Sequence, residues 1–128
     1  MKDETAEWIQ KAEGDMRTAR REFAATELPN FDAVCFHAQQ CAEKYLKSRI
    51  IEEGLPATRT HDLEMLLNQL LPFERGLSVL LQAVRILSAM AVEVRYPGMA
   101  ADEDDAGEAL RSSEKVRYAI RTIFDIRD

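Results

Sequence analysis

Residues 31–53 read FDAVCFHAQQCAEKYLKSRIIEE, and this stretch decides the fold class. Its apolar side chains recur every three to four residues, which is the spacing of one face of an α-helix. They are Phe31, Val34, Cys35, Ala38, Ala42, Tyr45, Leu46 and Ile50. Asn30 is a suitable N-cap before the stretch, and Gly54 followed by Pro56 is suited to end it. The stretch therefore predicts one long helix with an apolar face.

The same spacing predicts four more helices, and no segment alternates as a strand would. Their expected bounds are 3–25, 61–70, 73–95 and 103–127. Thr60 is expected to cap the short helix, and Pro72 to open the one after it. Four long helices and one short helix with short connections predict an all-α fold, an up-and-down antiparallel bundle. Because no linker or repeat interrupts it, 1–128 is expected to be a single domain.

Composition excludes several classes of protein. The 128 residues include five Gly, four Pro and two Cys, too few for collagen-like, low-complexity or disulfide-stapled chains. No apolar run approaches the roughly 18–20 residues that span a membrane, and the first residues, MKDETAEWIQ, do not resemble a signal peptide. We therefore expect a soluble cytoplasmic protein with no membrane partner.

The charge balance argues against nonspecific binding to duplex nucleic acid. The chain has 17 Lys and Arg against 23 Asp and Glu, a net charge of −6. Such binders usually carry a basic stripe and a pI above about 9. A focused basic pocket remains compatible with this balance, because net charge does not fix the local field.

The sequence also predicts no metal and no cofactor. Cys35 and Cys41 are six residues apart, so on a helix they point in different directions and cannot share a metal ion. The acidic run Asp102–Asp105 lacks the ligand pattern of a calcium loop and suits the start of a helix. There is no CxxC, HExxH, GxSxG or glycine-rich phosphate loop.

Three short clusters are candidates for ligand binding. The first is a second face of the long helix, formed by His37, Gln40, Cys41, Lys44, Lys47 and Ser48. It is either a solvent face, or Lys44 and Lys47 hold phosphates while His37 and Gln40 bond the polar edges of a ligand or partner. The second cluster is His61 and Asp62, which either stabilise the start of the short helix or bind the ligand.

The third cluster is Arg95-Tyr96-Pro97-Gly98. Arg95 either suits the negative end of the helix dipole or holds a phosphate, and Tyr96 either packs under the turn or stacks on a base. We expect Arg95 and Tyr96 to line one site with His37 and Gln40.

Three other candidates are expected farther from that site. Lys44 would lie one to two turns along the helix, and Lys47 about 15 Å from His37. His61, with Asp62 beside it, is expected near the other end of the long helix because of the turn at Gly54–Pro56.

Several segments together resemble the HEPN domain. They are Phe36–Lys47, Thr60–Leu63 and Val94–Gly98, with Trp8, Ala12 and Asp15 in the first helix. The resemblance covers nearly the whole chain. It implies a bundle of four main helices, usually dimeric, encoded in prokaryotes beside a minimal nucleotidyltransferase. Such pairs often act as toxin and antitoxin, and a nucleotide-binding role has been proposed for the family.

The chain departs from this family at one motif. Catalytic HEPN ribonucleases share Arg-x(4–6)-His, but no histidine follows Arg95, and the last histidine of the chain is His61. We therefore assign no catalytic residue and predict a binding module for a nucleotide, RNA or partner protein. The alternatives are a metal-independent ribonuclease toxin, in which His37 or His61 substitutes, and a plain dimeric interaction protein without a ligand.

A surplus of apolar residues predicts a homodimer. Seven such residues exceed what one face of the third and fourth helices needs: Leu66, Leu67, Leu70, Leu71, Val79, Ile86 and Met90. We expect part of this surplus to form an interface with two-fold symmetry.

Overall fold

The computed structural model describes residues 1–93 and 97–127, with the side chains of residues 92 and 93 left out. Within these residues the chain forms five α-helices and no strand, which confirms the all-α fold. The helices are α1 (Asp3–Phe23), α2 (Phe31–Glu52), α3 (Leu63–Leu70), α4 (Leu81–Glu93) and α5 (Glu103–Ile123). A 3₁₀ helix, Arg75–Leu80, precedes α4. None of the described helices is long and apolar enough to cross a membrane.

The helix directions follow from contacts between distant residues. The hydroxyl of Thr5 donates to Glu52 at 2.9 Å, so the start of α1 meets the end of α2 and the two helices are antiparallel. Arg121 near the end of α5 donates to the Tyr45 hydroxyl at 3.2 Å, while Asp32 at the start of α2 accepts from the backbone of Ala101. The helix α5 therefore runs parallel to α2 and antiparallel to α1.

The helix α2 lies at the centre of the bundle, since it packs against α1, α3, α4 and α5. Its apolar face is buried as expected, with Tyr45 and Leu46 fully enclosed. Cys41 and Ser48 are also fully buried, so the interpretation of their face as a solvent face is wrong for these two residues. A helix surrounded by neighbours has no fully exposed face.

The predicted helix 73–95 is wrong in its first half. Residues 71–73 form a turn, the 3₁₀ helix follows, and regular α-helix begins only at Leu81. Leu77 and Leu80 are both buried, and side chains three residues apart are aligned in a 3₁₀ helix. Pro72 therefore does not open α4, and Gly76 adds a residue of low helix propensity.

The structure corrects two other expectations about the third helix, its N-cap and the exposure of its leucines. Asp62, not Thr60, is the N-cap of α3, because its side chain accepts from the backbone of Met65 at 3.2 Å. Three leucines of the supposed dimer surplus, Leu66, Leu67 and Leu70, are buried in the core of the monomer. They are therefore not available to a second copy.

The start of α5 agrees with the sequence. The Asp102 side chain accepts from the backbone of Asp105 at 2.8 Å, and Asp105 accepts from the backbone of Asp102 at 3.1 Å. This reciprocal capping satisfies two backbone donors at the positive end of the helix. The acidic run is therefore a helix start.

Candidate functional site

An open cleft of about 970 Å³ lies between the first half of α2, the start of α3 and the second half of α4. Its lining residues are Asn30, Asp32, Ala33, Phe36, His37, Gln39, Gln40, His61, Asp62, Ser88 and Ala91. The cleft thus brings together His37, Gln40, His61 and Asp62, four of the residues singled out from the sequence.

Phe36 is the aromatic side chain of this cleft. Its ring is 53% exposed although it is a large apolar group. It makes an edge-on contact with the His37 ring, with 5.1 Å between the ring centroids. The exposed ring face at the cleft can stack on a flat ligand.

The buried carboxylate of Asp15 is bonded to the His37 ring. The Nδ1 atom of His37 lies 2.8 Å from Oδ1 of Asp15, and the Lys44 ammonium lies 2.5 Å from the other oxygen. Asp15 comes from α1, where it is almost fully buried. An ionised carboxylate only accepts hydrogen bonds, so Nδ1 of His37 carries the proton and its Nε2 remains for other partners.

The second histidine is held in the same way. Nδ1 of His61 lies 3.0 and 3.1 Å from the two oxygens of Glu43, a residue of α2 that is only 3% exposed. The Lys47 ammonium lies 3.0 Å from the same carboxylate. Each histidine is thus paired with a buried acid that also binds a lysine.

The expected position of His61 near the other end of α2 is wrong. Gly54 has a φ of +73°, which lets the chain reverse after α2. The following loop then returns along the helix, and the Gln69 side chain fixes it by donating to the Pro56 carbonyl at 2.9 Å. His61 therefore meets Glu43 in the middle of α2.

Two adjacent glutamines connect these groups. The Gln40 amide nitrogen donates to the Gln39 side-chain oxygen at 2.8 Å. The Gln39 amide nitrogen lies 3.3 Å from Glu43 and 3.4 Å from the backbone oxygen of His61. Gln39 is buried, whereas Gln40 is only partly so.

Lys44 and Lys47 do not line this cleft. Their ammonium groups pair with Asp15 and Glu43, and Lys47 also lies 5.5 Å from the centre of the Trp8 ring. Both lysines therefore compensate buried charge inside the bundle.

Arg95 and Tyr96 lie outside the described residues. Their grouping with His37 and Gln40 stays a prediction. The described chain reaches the cleft at Ala91 on α4 and resumes at Pro97.

Sequence reasoning did not assign a role in the site to Asp15, Glu43, Gln39 or Phe36. A signal was present for Asp15, because it falls within the apolar stripe of the first helix between Ala12 and Met16. A charged residue at a core position requires a buried partner. Glu43 gave no such signal, since α2 is buried on more than its apolar stripe.

A second ionic cluster lies between α1, α2 and α5. Glu13 accepts from the Tyr45 hydroxyl at 2.6 Å and from two nitrogens of Arg117 at 2.8 and 2.9 Å. Burial raises the pKa of Glu13, but its bonds to Arg117 and Tyr45 and the charges of Arg117 and Arg121 lower it further, so the net pKa lies below 4.5. Burial also raises the pKa of Tyr45, and the hydrogen bond to Glu13 raises it further.

The described part of the chain was also compared with the geometry of a metal site. No group of three His, Cys, Asp or Glu side chains converges there as a metal site would require. Both cysteines are buried, and burial raises the pKa of the Cys35 thiol to about 11. They are small apolar core residues.

The model of the HEPN domain family matches residues 5–123. The chain belongs to the HEPN domain family. Among solved structures, this HEPN chain is similar to TT1696 from Thermus thermophilus, with 27% identity and a TM-score of 0.82 over 94% of this chain and 98% of that one. It is also similar to ST0689, an archaeal HEPN homologue, with 25% identity and a TM-score of 0.75 over 95% and 98% of the two chains. No curated protein matches it.

Proposed function

We propose that this HEPN protein is a noncatalytic binding module that holds the base of a nucleotide in the cleft beside α2. The observation that carries the proposal is the exposed Phe36 ring at a cleft edged by polar side chains. Proteins bind unpaired bases by stacking them on aromatic rings and bonding their polar edges. Gln40, His37 and His61 supply those polar contacts.

The phosphate of the nucleotide would lie outside the described lining. That lining contains the carboxylates of Asp32 and Asp62 and no lysine or arginine. Anions are repelled from such a surface, so a base fits it better than a phosphate. We assign phosphate binding to Arg95, whose guanidinium is suited to it.

A titration with nucleosides tests the base-binding part of the proposal. Wild-type protein should bind nucleosides by calorimetry, and Phe36→Ala should weaken that binding about tenfold through lost stacking. Phe73→Ala is the matched control, because Phe73 is 55% exposed and does not line the cleft. Absence of nucleoside binding, or equal losses in both variants, would leave the plain interaction protein as the better hypothesis.

Arg95→Ala tests the assignment of the phosphate. We expect roughly tenfold to a hundredfold weaker binding of nucleotides, because a charge-assisted contact contributes about 1.5–3 kcal/mol. Nucleosides, which lack the phosphate, should bind both proteins equally. Equal nucleotide affinities would mean that Arg95 does not bind the phosphate.

We also propose that the module acts as a homodimer in the cytoplasm. Val79 and Tyr118 are large exposed side chains beside a mostly apolar hollow of about 550 Å³ between the 3₁₀ helix and α5. Burial of such groups against a second copy is favourable. Light scattering at micromolar concentration should give the dimer mass, and Val79→Glu should give the monomer; a monomeric wild-type protein would exclude the dimer.

A minimal nucleotidyltransferase is the proposed protein partner, in a pair of the toxin–antitoxin type. Family membership supports this proposal, and both similar structures come from prokaryotes. Co-expression with the product of a neighbouring nucleotidyltransferase gene should yield a complex that survives gel filtration. Separate elution of the two proteins would count against the pair.

Metal-independent RNA cleavage is the second candidate, and one observation favours it. His37 and His61 line the same cleft, and each has its Nδ1 bonded to a buried carboxylate. This arrangement orients histidines as general acids and bases. We expect no cleavage of RNA in EDTA above a buffer control; cleavage that His37→Ala or His61→Ala abolishes would establish the enzyme instead.

A further inference from the structure

The hydrogen-bonding direction of the Gln39 side chain is fixed by its surroundings. Its amide nitrogen faces the Glu43 carboxylate and the His61 backbone oxygen. Both of these groups accept hydrogen bonds, and the Glu43 carboxylate also accepts from the Lys47 ammonium at 3.0 Å. A reversed amide would bring its oxygen against two other oxygens, so only one orientation of Gln39 is satisfied.

This orientation also fixes Gln40. The Gln39 oxygen points away from Glu43 and accepts from the Gln40 amide nitrogen at 2.8 Å. The Gln40 nitrogen is thereby turned towards Gln39, which leaves the Gln40 oxygen without a bonded partner among the described residues. Gln40 lines the cleft, so it offers a hydrogen-bond acceptor there.

The hydrogen-bonding direction of the two cleft histidines is also fixed by their neighbours. Their Nδ1 atoms donate to Asp15 and Glu43. A neutral imidazole that donates through one nitrogen accepts through the other. In this form of the imidazole, Nε2 of His37 and Nε2 of His61 are acceptors, as the Gln40 oxygen is.

We infer that the cleft selects nucleobases that carry an exocyclic amino group. This inference rests on the proposed function and adds the chemical class of the base. Adenine and cytosine donate hydrogen bonds from an amino group, whereas hypoxanthine and uracil carry an oxygen at that position. An oxygen placed against a fixed acceptor loses the bond and leaves two polar atoms unpaired. The buried acids Asp15 and Glu43 thus determine which base is accepted.

Two pairs of nucleosides test the selection without any change to the protein. Adenosine and inosine differ in the base at the amino position and at the adjacent ring nitrogen, which accepts a hydrogen bond in adenosine and donates one in inosine. Cytidine and uridine differ in the same two places. Calorimetry at about pH 8, which is above the pKa of about 6.5 of free histidine, should show adenosine and cytidine binding about tenfold more tightly than their partners. Equal affinities within each pair would overturn the selection but not the base-binding function, whereas no binding of any nucleoside would overturn both.

Substitutions in the glutamine pair test the cause of the selection. Gln39→Met removes the group that orients Gln40, so the amide regains free rotation and the adenosine-to-inosine ratio should fall to within about twofold. Gln10→Met, at an exposed glutamine of α1, should leave the ratio unchanged. Circular dichroism verifies that each variant is folded.

Gln40→Met provides a second variant at a partly exposed position, where loss of the fold is not expected. It should bring the adenosine-to-inosine ratio towards one, because the acceptor whose orientation the protein fixes through Gln39 is gone. A wild-type ratio in either folded variant would show that the glutamine pair does not read the base.

Discussion

Two regions of the bundle contain acids that are at least partly buried, and they differ in which groups those acids bond. Glu13, Tyr45 and Arg117 bond one another between α1, α2 and α5. Asp15 and Glu43, in contrast, bond histidines whose rings reach the open cleft. Glu13 and Asp15 are only two residues apart on α1, but a helix turns about 200° over that distance, so they face different neighbours.

This difference in bonding partners indicates that the first region serves stability and the second serves ligand recognition. In the Glu13 cluster, hydrogen bonds and ion pairs among the polar groups link α5 to α1 and α2. In the Asp15 and Glu43 clusters, the carboxylate binds Nδ1 on one side of each histidine ring, and the other side of the ring is available to the cleft. We therefore expect variants in the first region to change unfolding, and variants in the second to change binding.

The largest expected effect is on stability, from Glu13→Gln. The amide has one accepting oxygen where the carboxylate has two, so its nitrogen would face an Arg117 donor and the negative charge is lost. The free energy of unfolding should therefore fall by about 2 kcal/mol. Urea denaturation measures this loss. Nucleoside affinity should stay within about twofold. A larger change in affinity would show that the Glu13 cluster also affects binding at the cleft.

The control for this variant is Glu114→Gln. Glu114 pairs with Arg20 at 3.4 Å across α5 and α1, but both side chains are well exposed. Exposed ion pairs contribute little, so the loss should stay below about 0.5 kcal/mol. A loss similar to that of Glu13→Gln would mean that burial does not distinguish the two pairs.

The pH dependence of the Glu13 effect sharpens the comparison. Because the pKa of Glu13 is lowered in the folded protein, its carboxylate stabilises the fold above its ordinary pKa of 4.5. That stabilisation is lost as the pH falls through the lower folded pKa. The stability difference between wild type and Glu13→Gln should therefore be full at about pH 7 and shrink below 4.5. A difference that stays constant into the acid range would contradict this origin.

A smaller effect than that of Glu13→Gln is expected from Asp15→Asn. One amide oxygen can still accept from His37 or Lys44, but the amide nitrogen then faces the other donor. Unfolding should become easier by about 1 kcal/mol, and adenosine should bind about threefold more weakly because the His37 ring is no longer fixed. Calorimetry measures the affinity, and urea denaturation measures the free energy of unfolding. Unchanged binding with a larger loss of stability would mean that Asp15, like Glu13, serves stability and not binding.

Several features of the site were predictable from the sequence, and others were not. The polar residues His37 and Gln40 stand out on the long helix, and the structure places both at the cleft. The loop after Gly54 was not predictable in its path, because periodicity describes helices and says nothing about how a connection returns. His61 was therefore expected near the end of α2, whereas it lies beside the middle of that helix.

The sequence by itself determined the all-α fold, because apolar spacing, caps and turn residues act within a few positions of one another. It also determined that Asp102–Asp105 starts a helix, for the same local reason. Only the tertiary structure decided that Lys44 and Lys47 neutralise Asp15 and Glu43 within the bundle. Pairing of charges across helices depends on which faces meet, and that arises from packing of the whole chain around α2.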